Sequence, residues 1–299
     1  MINILYSLHP WFVTGFIEGE GSFIISIIKS PRSRLGWRVR PVFKIELHSR
    51  DKKLLISLQA YFGVGQIYQQ GSKAVEYKVQ SAKDLKVILD HFDKYPLITQ
   101  KLADYMLWRQ VVIMVLRKEN LTQEDLQAIV NIRASINLGL SDQLKAAFSN
   151  TVPVKRAVVV NQVIRDPHWV AGFTSAEGCL FVNIFNATTK VGVAVQLIFQ
   201  LTQHCRDKQL MESLIKYLDC GNVFKNRETV NLIETKFENL NNKIIPFFQK
   251  YQILGIKSED FKDFCLVAYL MKEKKHLTEE GLDQIRKIKA GMNRGRDIE

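Results

Sequence analysis

Glu20 and Glu177 each stand directly before a glycine, at the end of an apolar segment that carries small residues at regular spacing. Two carboxylates brought side by side form a site for a hard divalent cation, which takes oxygen ligands. The segments are Trp11-Phe-Val-Thr-Gly-Phe-Ile-Glu-Gly-Glu-Gly-Ser-Phe23 and Trp169-Val-Ala-Gly-Phe-Thr-Ser-Ala-Glu-Gly-Cys-Leu-Phe181, and with one residue missing from the second, Glu20 aligns with Glu177. Gly15 and Gly19 share one face of a helix, and Gly172 and Ala176 hold the same places in the second copy. Small residues at that spacing let two helix backbones approach closely. The expectation is that these helices pack together and deliver both glutamates to one place. Alone, a carboxylate at a helix C-terminus opposes the macrodipole at a cost of ~0.3–1 kcal/mol, and two neighbouring carboxylates also repel. Bound Mg²⁺ would reverse both penalties, with the Gly19 and Ala176 carbonyls and water completing the shell. Such ions activate a water nucleophile and stabilise a leaving oxygen.

The elements that must hold these groups follow from the repeat. Its offset is about 156 residues: Phe43-Lys-Ile-Glu-Leu-His-Ser-Arg-Asp-Lys52 matches Phe199-Gln-Leu-Thr-Gln-His-Cys-Arg-Asp-Lys208, Lys94-Tyr95 matches Lys250-Tyr251, and Leu121-Thr122 matches Leu277-Thr278. Two copies in the same order predict a pseudo-twofold arrangement, since a solenoid needs more units. The predicted halves are 1–148 and 168–299, joined by a linker over 149–167 that contains Pro153 and Pro167. Each half reads as helix, two strands, helix, two strands, then further helices. The first helix is expected from Pro10 to Gly21. From Trp37 to His48 the alternation is strict, with Trp37, Val39, Pro41, Phe43, Ile45 and Leu47 on one face and Arg38, Arg40, Val42, Lys44, Glu46 and His48 on the other. In the second copy Val193, Val195, Leu197, Phe199 and Leu201 oppose Ala194, Gln196, Ile198, Gln200 and Thr202. Shorter strands are expected near 65–70, 75–80, 221–226 and 229–235.

Lys and Arg number 42 against 30 Asp and Glu, a net charge of +12, which points to a polyanionic partner, nucleic acid above all. An antiparallel sheet leaves one side wet in any case. Here, however, the wet faces carry the side chains that read base edges in the major groove. Arg38, Arg40, Lys44, Gln196 and Gln200 are assigned to double-stranded DNA, and Arg32, Arg34, Lys73 and Lys190, in strand-connecting loops, to phosphates. The same strand faces add Ser26, Glu46, Gln66, Tyr68, Gln70, Lys78, Gln80, Asn183, Thr202, Asn222 and Asn231 as DNA-binding candidates. Cys179, Cys205, Cys220 and Cys265 form no Cys-x-x-Cys pair and show no ligand spacing with histidine, so they read as buried thiols and not as a zinc site. No apolar run is long enough to span a membrane.

Val13-Thr-Gly-Phe-Ile-Glu-Gly-Glu-Gly21 and Val170-Ala-Gly-Phe-Thr-Ser-Ala-Glu-Gly178 resemble the paired motifs of the LAGLIDADG homing endonucleases. The chain is most similar to the monomeric two-repeat enzymes of fungal mitochondrial introns, over almost its whole length, including the stretches 94–101 and 277–294. The resemblance implies an α+β fold of two pseudo-symmetric αββαββα halves, forming a DNA-binding saddle around a central two-helix interface. It implies site-specific cleavage of both strands across the minor groove of a long asymmetric site. Roughly two or three Mg²⁺ ions would support cleavage, and Ca²⁺ would bind without supporting it. Glu20 and Glu177 stand at the catalytic acids, and Gln203 and Lys236 at polar and basic positions near the cleavage pocket. The first half has Leu47 and Ser81 at the related positions, so the pocket is expected to be asymmetric; Thr174-Ser175 replaces an apolar–acid pair. A monomer in the mitochondrion is implied, with no presequence in Met1–His9. The rival readings are an intron RNA maturase of the same fold, and a non-catalytic DNA-binding repressor. The retained acid pair separates the endonuclease from both.

Overall fold

Pro10 opens helix α1 (Pro10–Glu20), where its missing N–H goes unneeded and its fixed φ suits the first turn. In the computed structural model, which describes residues 5–117 and 121–296, the helix ends one residue earlier than the spacing predicts. Gly21 already pairs with Ile45, so strand pairing overrides the last helical position. β1 (Gly21–Lys29) and β2 (Trp37–His48) form a hairpin, followed by α2 (Lys52–Phe62), β3 (Gln66–Gln70), β4 (Ala74–Val79) and α3 (Ala82–Lys94). α4 (Lys101–Arg117), α5 (Gln123–Ala134) and α6 (Asp142–Ala147) complete this part. The second copy runs α7 (Pro167–Glu177), β5 (Gly178–Asn186), β6 (Val193–His204), α8 (Lys208–Leu218), β7 (Asn222–Asn226) and β8 (Thr229–Glu234). It closes with α9 (Phe237–Asn239), α10 (Ile245–Lys250), α11 (Lys257–Lys272) and α12 (Glu279–Ala290). The fold is α+β, with two antiparallel four-stranded sheets ordered β1-β2-β4-β3 and β5-β6-β8-β7.

Contacts divide the chain into two compact units. One runs from Glu20 to Asn161 with the residues before Trp11; the other runs from Gln162 onward and includes Trp11–Gly19. The body of α1 therefore packs with the second unit, although its sequence belongs to the first repeat. Residues 149–166 carry no regular structure. On the first unit this stretch is tied down by Gln100, whose side chain donates to the Val159 carbonyl (2.7 Å) and accepts from its N–H (3.1 Å), and by Arg156, which pairs with Asp104 at 3.1 Å.

In each unit the sheet buries one face beneath helices. Phe23, Phe43, Tyr77, Phe92, Tyr105 and Trp108 form the aromatic centre of the first core, and Leu197, Phe199, Leu201, Leu232 and Phe248 that of the second. Two of the large aromatic side chains pair the polar atoms they carry inside: Trp108 donates to the Ile24 carbonyl at 3.2 Å and Tyr77 to that of Val64 at 2.9 Å. The repeated His-x-Arg-Asp-Lys has a local cause. His48 Nδ1 accepts the Arg50 N–H and His204 Nδ1 accepts that of Arg206, at 3.3 and 3.2 Å, capping the turns that lead into α2 and α8. Val42, on the expected polar face, is buried at 7 % exposure.

Candidate functional site

Within the second unit, the Trp11–Gly19 stretch of α1 and helix α7 touch backbone to backbone. A Cβ built on Gly15 would stand 2.1 Å from the Trp169 carbonyl oxygen, and one on Gly172 would stand 2.0 Å from that of Phe12. No side chain larger than hydrogen fits either place, which is why these positions are glycine. A turn later, a Cβ on Gly19 would lie 2.4 Å from Ala176 Cβ, 3.0 Å from Glu177 Cγ and 3.2 Å from Glu177 Oε1. The Glu177 side chain therefore occupies the recess that Gly19 leaves. Gln203, near the end of β6, donates from Nε2 to Glu177 Oε1 at 3.0 Å and fixes the carboxylate from the sheet side. Gly19, Ala176, Glu177 and Gln203 are thus brought together. Glu20, the last residue of α1, is half-buried. Lys236 is exposed just before α9, and among the described residues its ammonium makes no hydrogen bond or ion pair. In the Thr174-Ser175 departure only the serine hydroxyl is paired: Ser175 Oγ donates to the Ala171 carbonyl (2.8 Å) and accepts the Leu254 N–H (3.0 Å), while the buried Thr174 hydroxyl has no partner among the described residues.

Two lysines escaped the motif reading. Lys257, the first residue of α11, donates to the Ala176 carbonyl at 2.9 Å and to the Thr174 carbonyl at 3.3 Å. Lys101, the first residue of α4, donates to the Gly21 carbonyl at 2.7 Å in the other unit. Each ammonium sits at the negative end of a motif helix, where a cation offsets the macrodipole that disfavours the neighbouring glutamate. Part of the compensation assigned to bound metal is therefore supplied by the chain itself. The Ala176 carbonyl, expected on a metal, already accepts from Lys257 and has only its second lone pair left. The signal for both lysines was present: Lys101 and Lys257 end the matched stretches that begin at Lys94-Tyr95 and Lys250-Tyr251.

The donors around Gly19 suit a hard divalent cation. They are carboxylate and carbonyl oxygens, in a recess a single methyl group would fill, and hard ions take oxygen ligands. A different set, His204, Cys205 and Glu228, places one ligand atom each within 4.8 Å of one another. That corrects the expectation that no cysteine groups with histidine, but three donors fall one short of a closed structural zinc site. Cys179, Cys205 and Cys265 are half-buried, not the fully buried thiols expected, and Cys220 alone of the four is buried.

The wet faces of the sheets carry the remaining candidates. On the first, Arg38, Arg40, Glu46, Gln66, Tyr68, Gln70 and Gln80 are exposed, Ser26, Lys44 and Lys78 half-buried, and Arg32 and Arg34 sit exposed in the β1–β2 loop. Arg32, Arg34 and Arg38 line a recess with Trp37, Leu121 and Leu126. On the second, Gln196, Gln200, Thr202, Asn183 and Asn231 are half-buried and Asn222 and Lys190 exposed. This face also presents Phe181, Phe185 and Phe224, which the sequence reading missed because it sought polar groups only; apolar side chains contact the thymine methyl in a major groove.

A family model described as LAGLIDADG endonuclease matches residues 13–112 and again 170–268, about two thirds of the chain. The chain belongs to the LAGLIDADG endonuclease family. The Neurospora crassa protein named probable intron-encoded endonuclease 3 is 41 % identical over 288 residues, covering 95 % of this chain and 54 % of that protein. The chain thus spans about half the length of that relative. A Podospora anserina protein of ND4 intron 1 is 46 % identical over 121 residues, 40 % of this chain and 27 % of that one. Among solved structures, I-SmaMI, a LAGLIDADG homing endonuclease bound to cleaved DNA, superposes with a TM-score of 0.95 at 44 % identity, over 97 % of this chain and 98 % of that one. I-SmaMI bound to an uncleaved DNA target in the presence of calcium ions gives 0.94 at 44 % identity, over 97 % and 100 %. Both family matches begin within a motif helix, α1 or α7, and run on through the sheet that follows. No helix among the described residues of this LAGLIDADG protein is long and apolar enough to cross a membrane.

Proposed function

We propose that this chain is a site-specific, divalent-metal-dependent DNA endonuclease, working as a monomer, that cuts both strands of a long asymmetric site across the minor groove. Glu20 and Glu177 are its acids, and a mitochondrial intron is its origin. The observation that carries the reading is the Glu177 carboxylate, which lies in the Gly19 recess and is held there by Gln203 at the end of a lysine-capped helix.

Each residue then has a physical task. Glu20 and Glu177, with the Gly19 and Ala176 carbonyls, would hold Mg²⁺. Bound there, the metal supplies an acidified water and charge neutralisation at the leaving oxygen. Gln203 donates to Oε1 of Glu177 and so fixes the carboxylate from the sheet side. Lys257 holds the last turn of α7 in place and adds positive charge where a scissile phosphate would approach. Arg32, Arg34 and Lys190 take phosphates, while the sheet faces read bases. No related glutamine faces Glu20, because Leu47 occupies that position, so the two strands are expected to be cut at unequal rates.

The test uses a plasmid library carrying randomised inserts. Wild-type protein with Mg²⁺ should linearise a sequence-defined fraction, and Glu20→Gln and Glu177→Gln should each remove cleavage while retaining binding of the same DNA in Ca²⁺. Full cleavage by either variant would refute the assignment of the acids. Absence of cleavage by the wild type on any insert would refute the activity.

A further inference from the structure

Glu76 is 4 % exposed on a sheet face that is otherwise wet and basic. It lies on β4, directly opposite Glu46 of β2, and two pairs further along the ladder, on the same face, Lys78 is opposite Lys44. Like charges placed directly across a ladder destabilise it. Here one diagonal ion pair and one pair along each strand reverse that. Lys44 Nζ lies 3.0 Å from Glu76 Oε2 and 3.0 Å from Glu46 Oε2, and Lys78 Nζ lies 2.7 Å from Glu76 Oε1, as an ion pair off the hydrogen-bond axis. Burial works to raise the Glu76 carboxyl, but the Lys78 and Lys44 ammoniums outweigh it and hold it below the usual range. Burial likewise works to lower Lys44, and its two carboxylate partners hold it above its ordinary value instead. Glu76 and Lys44 therefore stay ionised.

A buried carboxylate on a surface facing a polyanion weakens attraction to phosphate, so its value to the protein lies elsewhere. Resting on the endonuclease reading above, we infer that Glu76 is a positioning residue for base discrimination. It pins Lys44 and Lys78 side by side, so that their remaining N–H donors select guanine N7 and O6 acceptors in the part of the site lying on the first sheet. An ammonium has three donors; Lys44 directs two at carboxylates and Lys78 one, and the aromatic ring of Tyr68 flanks the Lys78 ammonium at 5.7 Å. Unpinned, two long flexible side chains would serve phosphates and bases alike. The second sheet solves the same place without charge: Gln200 donates to Thr202 (3.0 Å) and to Asn231 (3.3 Å), and Thr202 donates to Asn231 (2.7 Å). It therefore acts as an internal control.

The experiment selects bound sequences from a randomised duplex library in Ca²⁺, using wild type, Glu76→Gln and Glu76→Asp, with thermal denaturation alongside. Glu76→Gln should lose about tenfold of guanine preference at one contiguous block of positions and keep the rest of the site. It should also bind a non-specific duplex about twofold or more tightly, because a negative charge has left the face. A purely structural Glu76 would lower the melting temperature and weaken both parts of the site together, which would overturn the inference. An unchanged preference in Glu76→Gln would do the same. If Glu76→Gln does not fold, Glu76→Asp, whose shorter arm cannot reach both lysines, must show the same local loss or the inference fails. A wild type that enriches no sequence at all would overturn the endonuclease reading and this inference with it.

Discussion

Gly15→Ala puts the helix crossing to a direct test. The added methyl would stand 2.1 Å from the Trp169 carbonyl oxygen and 2.9 Å from the Phe173 nitrogen. Cβ atoms essentially never approach closer than 3.0 Å, so the two backbones must part by about 0.9 Å. Neither contact atom is on a flexible side chain, so nothing can rotate away. Opening a seam by 0.5–1 Å forfeits about a quarter to a half of the dispersion well of each contact along it. The stacked pairs Phe12–Phe16 and Trp169–Phe173 border this seam. Overpacking in a core costs ~1–3 kcal/mol, and a clash between backbones belongs at the upper end. Alanine in place of glycine in a helix returns ~1 kcal/mol. The net expectation is a loss of about 2 kcal/mol, or a melting temperature lower by about 4–8 °C. Calorimetry of the variant measures it. Gly291→Ala serves as control, since φ there is −85° and the nearest atom to its Cβ is 3.6 Å away. A Gly15→Ala protein as stable as wild type, or more so, would leave only helix propensity acting and would refute the backbone contact.

Other outcomes follow from the same geometry. Lys257→Met removes charge-assisted bonds to the Ala176 and Thr174 carbonyls. It should cost about 2 kcal/mol in urea denaturation and slow single-turnover cleavage; no change in either would show that the lysine is incidental. DNA affinity should fall steeply with salt, with a log–log slope of roughly −0.9 per phosphate contact, and Arg32→Ala with Arg34→Ala should flatten it by about two contacts; a flat titration would refute the basic surface. Burial pushes His91 down to about 3 from 6.5, so it stays neutral in the folded protein while the unfolded chain takes up its proton. Stability present above pH 6.5 should therefore decline as pH falls from there toward 3, by ~1.4 kcal/mol per pH unit for this one group. His91→Phe should show a shallower acid limb, and an identical limb would refute the burial argument.

What could be read ahead of the structure, and what could not, divides along one physical line. Strand alternation has a period of two and helix faces a period of 3.6, and both are local properties of a chain. That is why Trp37–His48 came out as one strand with its buried face correctly placed, and why Gly15, Gly19, Gly172 and Ala176 marked a close crossing. Register is not local. Alternation along β4 puts Glu76 on the wet face beside Lys78, and only its pairing opposite Glu46 turns it into a buried anchor for two lysines. Lys257 meets Ala176 from 81 residues away, and no spacing rule reaches that far. Comparing the two copies does reach it, because a duplicated chain preserves what each half needs: Lys101 with Lys257, His48 with His204. The same comparison singles out what the halves do not share. Gln203 faces Glu177 where Leu47 stands in the first copy, and Lys44 and Glu46 face Glu76 where Gln200, Thr202 and Asn231 stand in the second. In a protein built from two copies, positions kept in both report what the fold and the metal require. On the proposed endonuclease reading, positions that differ are those that tell bases apart, so the differences, more than the matches, are where an asymmetric target would be written.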